Sequence, residues 1–185
     1  MALHDDGGST HKYERERRFL VADSSIVRGC PHVLITQAYL WTEDGYAARV
    51  RLIQSEENDG NTRDIDATFA IKGPRIGDER FEVESALSDF DVARAIVERA
   101  SMIVTKRRYQ VYDLEAWDID VFRGDNEGLV IAEIEGTESR SVQQPTWAIE
   151  EVSSQEKYNN EELARHPYAR WKPGTNDNDE LWSNA

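Results

Sequence analysis

The sequence predicts a mainly β protein of the α+β kind, with roughly eight strands able to close into a barrel with a charged interior, and a few flanking helices. Three observations predict it. Runs of six to eleven residues with period-two alternation recur between turn residues, and roughly eight can be counted. Only one stretch has convincing helical spacing, and no β-α-β alternation appears. The non-apolar faces of the strands carry acids and bases together, which a closed sheet with a polar interior accommodates. Eight strands can close around a small ligand without opening a channel.

The strands follow in order. Tyr13 to Val21 places Glu14, Glu16 and Arg18 on one face and Tyr13, Arg15, Arg17 and Phe19 on the other. Val33 to Thr42 is a second strand, turned at Glu43-Asp44-Gly45 into Tyr46 to Ile53, where Arg49 and Arg51 oppose Val50 and Leu52. Asp64 to Lys72 is ended by Gly73-Pro74 and Gly77, and Arg80 to Ser85 sets Glu82 and Glu84 against Phe81 and Val83. A helix is expected over Ser88 to Ala100, with Ser88 and Asp91 as a variant capping box and a core stripe of Phe90, Ala93, Ile96, Val97 and Ala100. Met102 to Tyr112 aligns Lys106 with Arg108, Leu114 to Val121 aligns Asp118 with Asp120, and Leu129 to Glu135 aligns Glu133 with Glu135. Pro145 to Val152 reads as irregular, Asn160 to Ala164 as a short helix, and Tyr168 and Trp171 as packing on the barrel.

Length and composition bound the rest. With 185 residues, one domain with tails is expected: residues 1–12 flexible, 13–172 the domain, and 173–185 a flexible acidic tail. No apolar run approaches the roughly 20 residues of a membrane span, and the start has no apolar segment of a signal peptide. The single cysteine, Cys30, rules out an internal disulfide framework and suits a reducing cytoplasm. His4 and His11 are expected to be solvated. A net charge of −14 argues against a broad nucleic-acid surface, although a local cluster of bases can still hold a small anion.

Alternation alone leaves two arrangements open. Apolar faces such as Ile65, Ala67, Phe69 and Ile71 could cover a core inside a sandwich with a charged outside, or form the outside of a barrel with a charged inside. The chemistry favours the second. Several carboxylates in one cavity need protons or a cation between them. All-oxygen donors suit Mg²⁺ or Mn²⁺, and no His/Cys cluster competes. Arg and Lys facing the same space suit phosphate oxygens. No P-loop or nucleophile motif is present, so attack by water is the simplest mechanism.

These residues also resemble a known family. Glu14-x-Glu16-x-Arg18 before Phe19-Leu20-Val21, Gln37-Ala38-Tyr39-Leu40, Arg49-Val50-Arg51, Ile71-Lys72-Gly73 and Phe81-Glu82-Val83-Glu84 resemble the CYTH-domain, or triphosphate tunnel, metalloenzymes. So do Lys106-Arg107-Arg108-Tyr109, Trp117-Asp118-Ile119-Asp120, Gly128 to Glu135, Glu151-Val152, Tyr158-Asn159-Asn160 and His166-Pro167-Tyr168, the last two pointing to the short bacterial tripolyphosphatases. The resemblance implies an eight-stranded antiparallel β-barrel forming a charged tunnel, with metal ligation by Glu14, Glu16, Asp120, Glu133 and Glu135 and with Glu82, Glu84 and Asp118 as additional acids. It implies triphosphate binding by Arg18, Arg49, Arg51, Lys72, Lys106 and Arg108. Lys106 and Glu16 are the expected catalytic side chains. The family motif ends in Lys where this chain has Arg18, and the two are not interchangeable.

The expected function is metal-dependent hydrolysis of inorganic tripolyphosphate to pyrophosphate and phosphate by a monomer or homodimer with no membrane partner. The competing readings are a nucleoside or thiamine triphosphatase, an adenylate cyclase, and a polyphosphate-binding module without turnover. A cyclase would need ring-stacking aromatics, for which Trp41, Tyr46 and Trp117 are the candidates.

Overall fold

The computed structural model describes residues 10–57, 59–76, 79–113, 115–136 and 141–171, and side chains from Arg15 onward. Among the described residues there are nine strands: β1 Thr10–Val21, β2 His32–Glu43, β3 Tyr46–Glu56, β4 Thr62–Ile76, β5 Glu79–Ala86, β6 Ile103–Asp113, β7 Glu115–Arg123, β8 Val130–Glu135 and β9 Ala148–Glu151. The pairing order β5-β4-β3-β2-β6-β7-β8-β1, together with a β1–β5 ladder, closes an eight-stranded antiparallel barrel. Closure relies on β1 changing neighbours along its length. Thr10 to Arg15 pair with β5, Glu16 to Leu20 pair with β8, and Phe19 to Val21 also take up β9.

Several boundaries differ from expectation for local reasons. β1 already pairs at Thr10, inside the segment expected to be a flexible tail; residues 1–9 and 172–185, which hold the rest of both expected tails, lie outside the described residues. β4 runs through Gly73-Pro74 instead of stopping there, because a register shift between Lys72 and Arg75 absorbs the proline, which has no N–H for the ladder. Helix α1 spans Phe90–Arg99 and is capped by Asp89, whose carboxylate accepts from the N–H groups of Asp91 and Val92; Ser88 is not the cap. β9 is a strand in a stretch expected to be irregular, ordered by β1 at Phe19 to Val21. The β2–β3 turn fits its chemistry: Asp44 and Gly45 both adopt positive φ, at 49° and 77°, and Glu43 pairs with Tyr46 across them. A Cβ on Gly45 would lie 2.9 Å from Pro74 Cβ.

The apolar outside of the barrel is covered in two places. Helix α1 packs Ala93, Phe90, Ile96 and Val97 on Val50, Leu52 and Ala67, as its stripe predicts. The turn around Val27 and the segment from Val142 to Ala148 cover Phe19, Trp117, Ile119, Val130, Ala132 and Ile134. There Trp117 sits edge-on to both Phe19 and Trp147, at 5.6 and 5.2 Å between centroids.

The inside is not charged throughout. Towards one end, the lumen faces turn apolar at Leu20, Tyr39, Ala47, Val104, Phe122 and Ile131, which pack with Val152, Tyr158, Leu163 and Ala164 of the C-terminal segment. Helix α2, Asn160–Arg165, therefore closes that end by hydrophobic burial. Trp171 completes it, edge-on to Tyr158 and Tyr168. No described helix is long and apolar enough to cross a membrane.

Candidate active site

The remaining part of the lumen is a cavity of about 310 Å³. Among the described residues, strand alternation brings five bases into its wall, Arg49, Arg51, Lys72, Lys106 and Arg108, and six acids, Glu16, Glu82, Glu84, Asp118, Glu133 and Glu135. The charged faces thus turn inward, and the sandwich alternative is not the structure adopted.

The charges divide into two walls. On β3, β4 and β5, Arg49 donates to Gln37 Oε1 at 2.7 Å and to Glu82 Oε1 at 3.2 Å, and Arg51 Nη2 donates to both oxygens of Glu84 at 3.2 and 3.0 Å. Lys72 Nζ lies 3.4 Å from Glu82 Oε1. Three bases here meet two acids. Burial, then the neighbouring Arg49 charge, lowers the Arg51 pKa from the usual arginine value. Its Nε is buried with no hydrogen-bond partner among the described residues. This wall has room for an anion.

The wall of β6, β7, β8 and β1 is acidic. Arg108 donates from Nε and Nη2 to the two oxygens of Asp120, each at 2.7 Å, from Nη1 to Asp118 at 2.9 Å, and from Nη2 to Glu133. Burial opposes its charge, but Asp120 and Glu133 outweigh burial and hold its pKa well above the usual value. Lys106 Nζ donates to Asp120 Oδ2 and, at 3.2 Å, to Asn160 Oδ1. For Glu133, burial alone would favour the neutral acid, yet Lys106, Arg108 and Arg18 keep its pKa well below the carboxylate range, helped by a hydrogen bond with Glu16. Asp118 moves the other way: burial raises its pKa, and Asp120 and Glu133 reinforce the rise against Arg108.

Glu16 stands opposite Glu135 in the β1–β8 ladder, two residues from the Arg18–Glu133 pair. Like charges placed directly across a ladder are unfavourable unless a proton or cation lies between them. Among the described residues no three His, Cys, Asp or Glu side chains already form a metal cage. Glu14 pairs with Arg80 through the backbone, but its side chain lies outside the described residues.

Two candidate residues sit elsewhere. Arg18 does not line the cavity: it is 3% exposed, and its Nη atoms donate to the carbonyls of Tyr158 and Ser153 at 2.8 and 3.2 Å. Asp120 is completely buried beneath the wall, with both oxygens held by Lys106 and Arg108. Glu82 and Glu84 organise the bases of the opposite wall. Sequence reasoning missed Gln37 and Asn160 as lining groups, although both lie in the quoted motifs. It also missed Arg80, which donates to Gly73 O, Gly45 O and Glu161 and so pins the hairpin tip and α2 together. Its place on the Glu82–Glu84 face was the available signal.

A closed eight-stranded barrel with a blind, charge-lined lumen defines a tunnel-type protein. No family model matches the chain. It is 29% identical over 163 residues to an inorganic triphosphatase of Acetivibrio thermocellus, covering 86% of this chain and 97% of that one. Two crystal structures of NE1496, one described as a hypothetical protein and one as an inorganic triphosphatase, superpose with a TM-score of 0.51 each. They are 26% and 25% identical, covering 82% and 87% of this chain and 97% of each of theirs. Over most of its length the chain is thus similar to proteins described as inorganic triphosphatases.

Proposed function

We propose that this chain is a divalent-metal-dependent hydrolase that cleaves inorganic tripolyphosphate to pyrophosphate and phosphate. The wall of Arg49, Arg51 and Lys72 carries the reading, because its bases outnumber its acids and one buried donor of Arg51 lacks a partner among the described residues. Phosphate oxygens match guanidinium forks in charge and geometry. The likeness to two proteins described as inorganic triphosphatases supports the same reading.

The cavity also speaks to the substrate. No aromatic side chain is among the described residues that line it. Trp41 stacks on Tyr46 at 6.2 Å and is half exposed, and Trp117 is buried in the outer cluster, so the three stacking candidates lie elsewhere. A bare triphosphate fits this lining better than a nucleotide or thiamine ester, whose ring would have no stacking surface.

Glu16, Glu133 and Glu135 fit a hard cation. Their oxygens suit Mg²⁺ or Mn²⁺, their like charges are juxtaposed, and Glu133 is kept ionised. Glu14 is a further donor on the strength of its sequence motif. Among the described residues six carboxylates and five bases line the cavity, so a polyanion is best accommodated together with a cation. When bound, the metal supplies charge neutralisation on phosphate oxygens and acidifies a water molecule.

The chain's own side chains supply the rest. Arg49, Arg51 and Lys72 bind and orient the anion. Arg108, held rigid by Asp118, Asp120 and Glu133, and Lys106, held by Asp120 and Asn160, offset charge on the departing pyrophosphate. Glu16, in its ionised form, takes up the proton of the attacking water. The half-buried single thiol, Cys30, suits a reducing compartment, and a cytoplasmic location is part of this proposal.

A side-by-side assay of tripolyphosphate, ATP and thiamine triphosphate with each metal tests the reading. The expected result is highest kcat/KM for tripolyphosphate. Faster turnover of an organic triphosphate, or release of cyclic AMP from ATP, would overturn it.

A further inference from the structure

Arg18 makes contacts unlike those of the other candidate phosphate ligands. Its main chain is bound to the C-terminal segment from both sides: Val152 N–H donates to Arg18 O at 2.8 Å, and Arg18 N–H donates to Ser153 Oγ at 3.0 Å. Its guanidinium then reaches further along the same segment, to Ser153 O and Tyr158 O, while Nε faces Glu16 Oε1 at 3.5 Å. Beyond Tyr158 the chain turns at Asn159 into α2, and Asn160 accepts from Lys106 Nζ.

We propose that Arg18 is a positioning residue: by strapping Ser153 and Tyr158 to β1, it sets where Asn160 meets Lys106. The side chain suits this work. A guanidinium spreads its donors over three nitrogens, so it can hold two carbonyls and still face Glu16. A lysine concentrates its donors on one nitrogen and cannot span the same set. Direct phosphate binding by Arg18 would turn its Nη groups away from the two carbonyls they hold, that of Tyr158 in a buried contact. The arginine in place of the family lysine thus acts on the closed end of the barrel. Besides its charge beside Glu16 and Glu133, it acts on the lumen through Asn160.

The inference rests on the proposed activity only for its kinetic arm. The first arm is amide hydrogen exchange on substrate-free protein, read over residues 153–165 in Arg18→Met and Arg18→Lys. Both are expected to speed exchange about tenfold at Asn159 and Leu163, whose amides close the turns around α2. Arg18→Lys keeps the charge and serves where Arg18→Met does not fold. Unchanged protection in Arg18→Lys overturns the proposal. The second arm is a double-mutant cycle for tripolyphosphate hydrolysis with Asn160→Ala. Each single variant is expected to lose kcat, and the double variant to lose about tenfold less than the product of the two losses. Losses that multiply, or a raised KM with unchanged kcat and unchanged exchange, would make Arg18 a substrate ligand and overturn the proposal. A wild-type protein without turnover would refute the proposed activity and leave the exchange arm to decide on Arg18.

Discussion

Lys106 and Asp120 form the most deeply buried of the described ion pairs, with side chains 1% and 0% exposed. Asp120 also takes two bonds from Arg108, so one carboxylate anchors two bases of the cavity wall. Charged groups this far from water are tolerated only with partners, and removing one partner strands the other.

Asp120→Ala is therefore expected to destabilise the fold by about 3–5 kcal/mol. Urea unfolding at neutral pH measures it. A change within about 0.5 kcal/mol, the usual range for surface sites, would mean that the pair is not the anchor it looks to be.

Adjacent residues on β6 should behave oppositely. Arg108 lines the cavity, whereas Arg107 points outward and donates to Glu56 at 2.5 and 2.7 Å. Arg51→Ala and Lys72→Ala are each expected to weaken tripolyphosphate binding by about 1.5–3 kcal/mol, the contribution of a hydrogen bond to a charged group. Arg107→Ala should leave affinity unchanged. Calorimetry on the three variants with a fixed metal concentration reads the difference.

The Arg107 contact has its own pH signature. Its hydrogen bond to Glu56, aided by His32, lowers the Glu56 pKa to about 2 despite some desolvation. The unfolded value is about 4.3. The folded state therefore holds fewer protons than the unfolded chain between these values, and Glu56 adds stability above about pH 4.3 that is lost as pH falls towards 2. Glu56→Gln should have a lower urea midpoint than wild type at pH 7, with the gap narrowing by pH 3. A gap independent of pH would contradict the assignment.

What could be read from the sequence was periodicity. Arg49 and Arg51 against Val50 and Leu52, or Asp118 and Asp120 against Ile119 and Val121, declare a face each, and eight such faces suggest a lined barrel. The register between strands cannot be read that way. That Arg108 lies opposite Asp120, and that Glu16 meets Glu135 across the closing ladder, depends on how hairpins shift and how β1 divides its two edges. Local signals were likewise outweighed by tertiary contacts: Gly73-Pro74 did not stop β4, and residues 148–151 became a strand because β1 offered an edge. The closing of one end of the lumen by Val152, Tyr158 and Leu163 was hidden because those residues are far in sequence from the strands they fill. For the same reason Arg18, grouped by alternation with the cavity, was found on the carbonyls of Tyr158 and Ser153.

Removing metal from the acidic wall should change stability as well as activity. Added Mg²⁺ or Mn²⁺ is expected to raise the melting temperature of wild type by relieving the Glu16–Glu135 juxtaposition, and to do less for Glu135→Gln. Equal shifts in both proteins would place the cation elsewhere.

The central claim is tested most directly by phosphate release from inorganic tripolyphosphate, with and without divalent metal, by wild type and Glu16→Gln. The account expects metal-dependent release by wild type that chelation stops, and a loss of about 10²-fold or more in the variant, as for removal of a general base. No release by wild type with either metal, or equal release by Glu16→Gln, would contradict it.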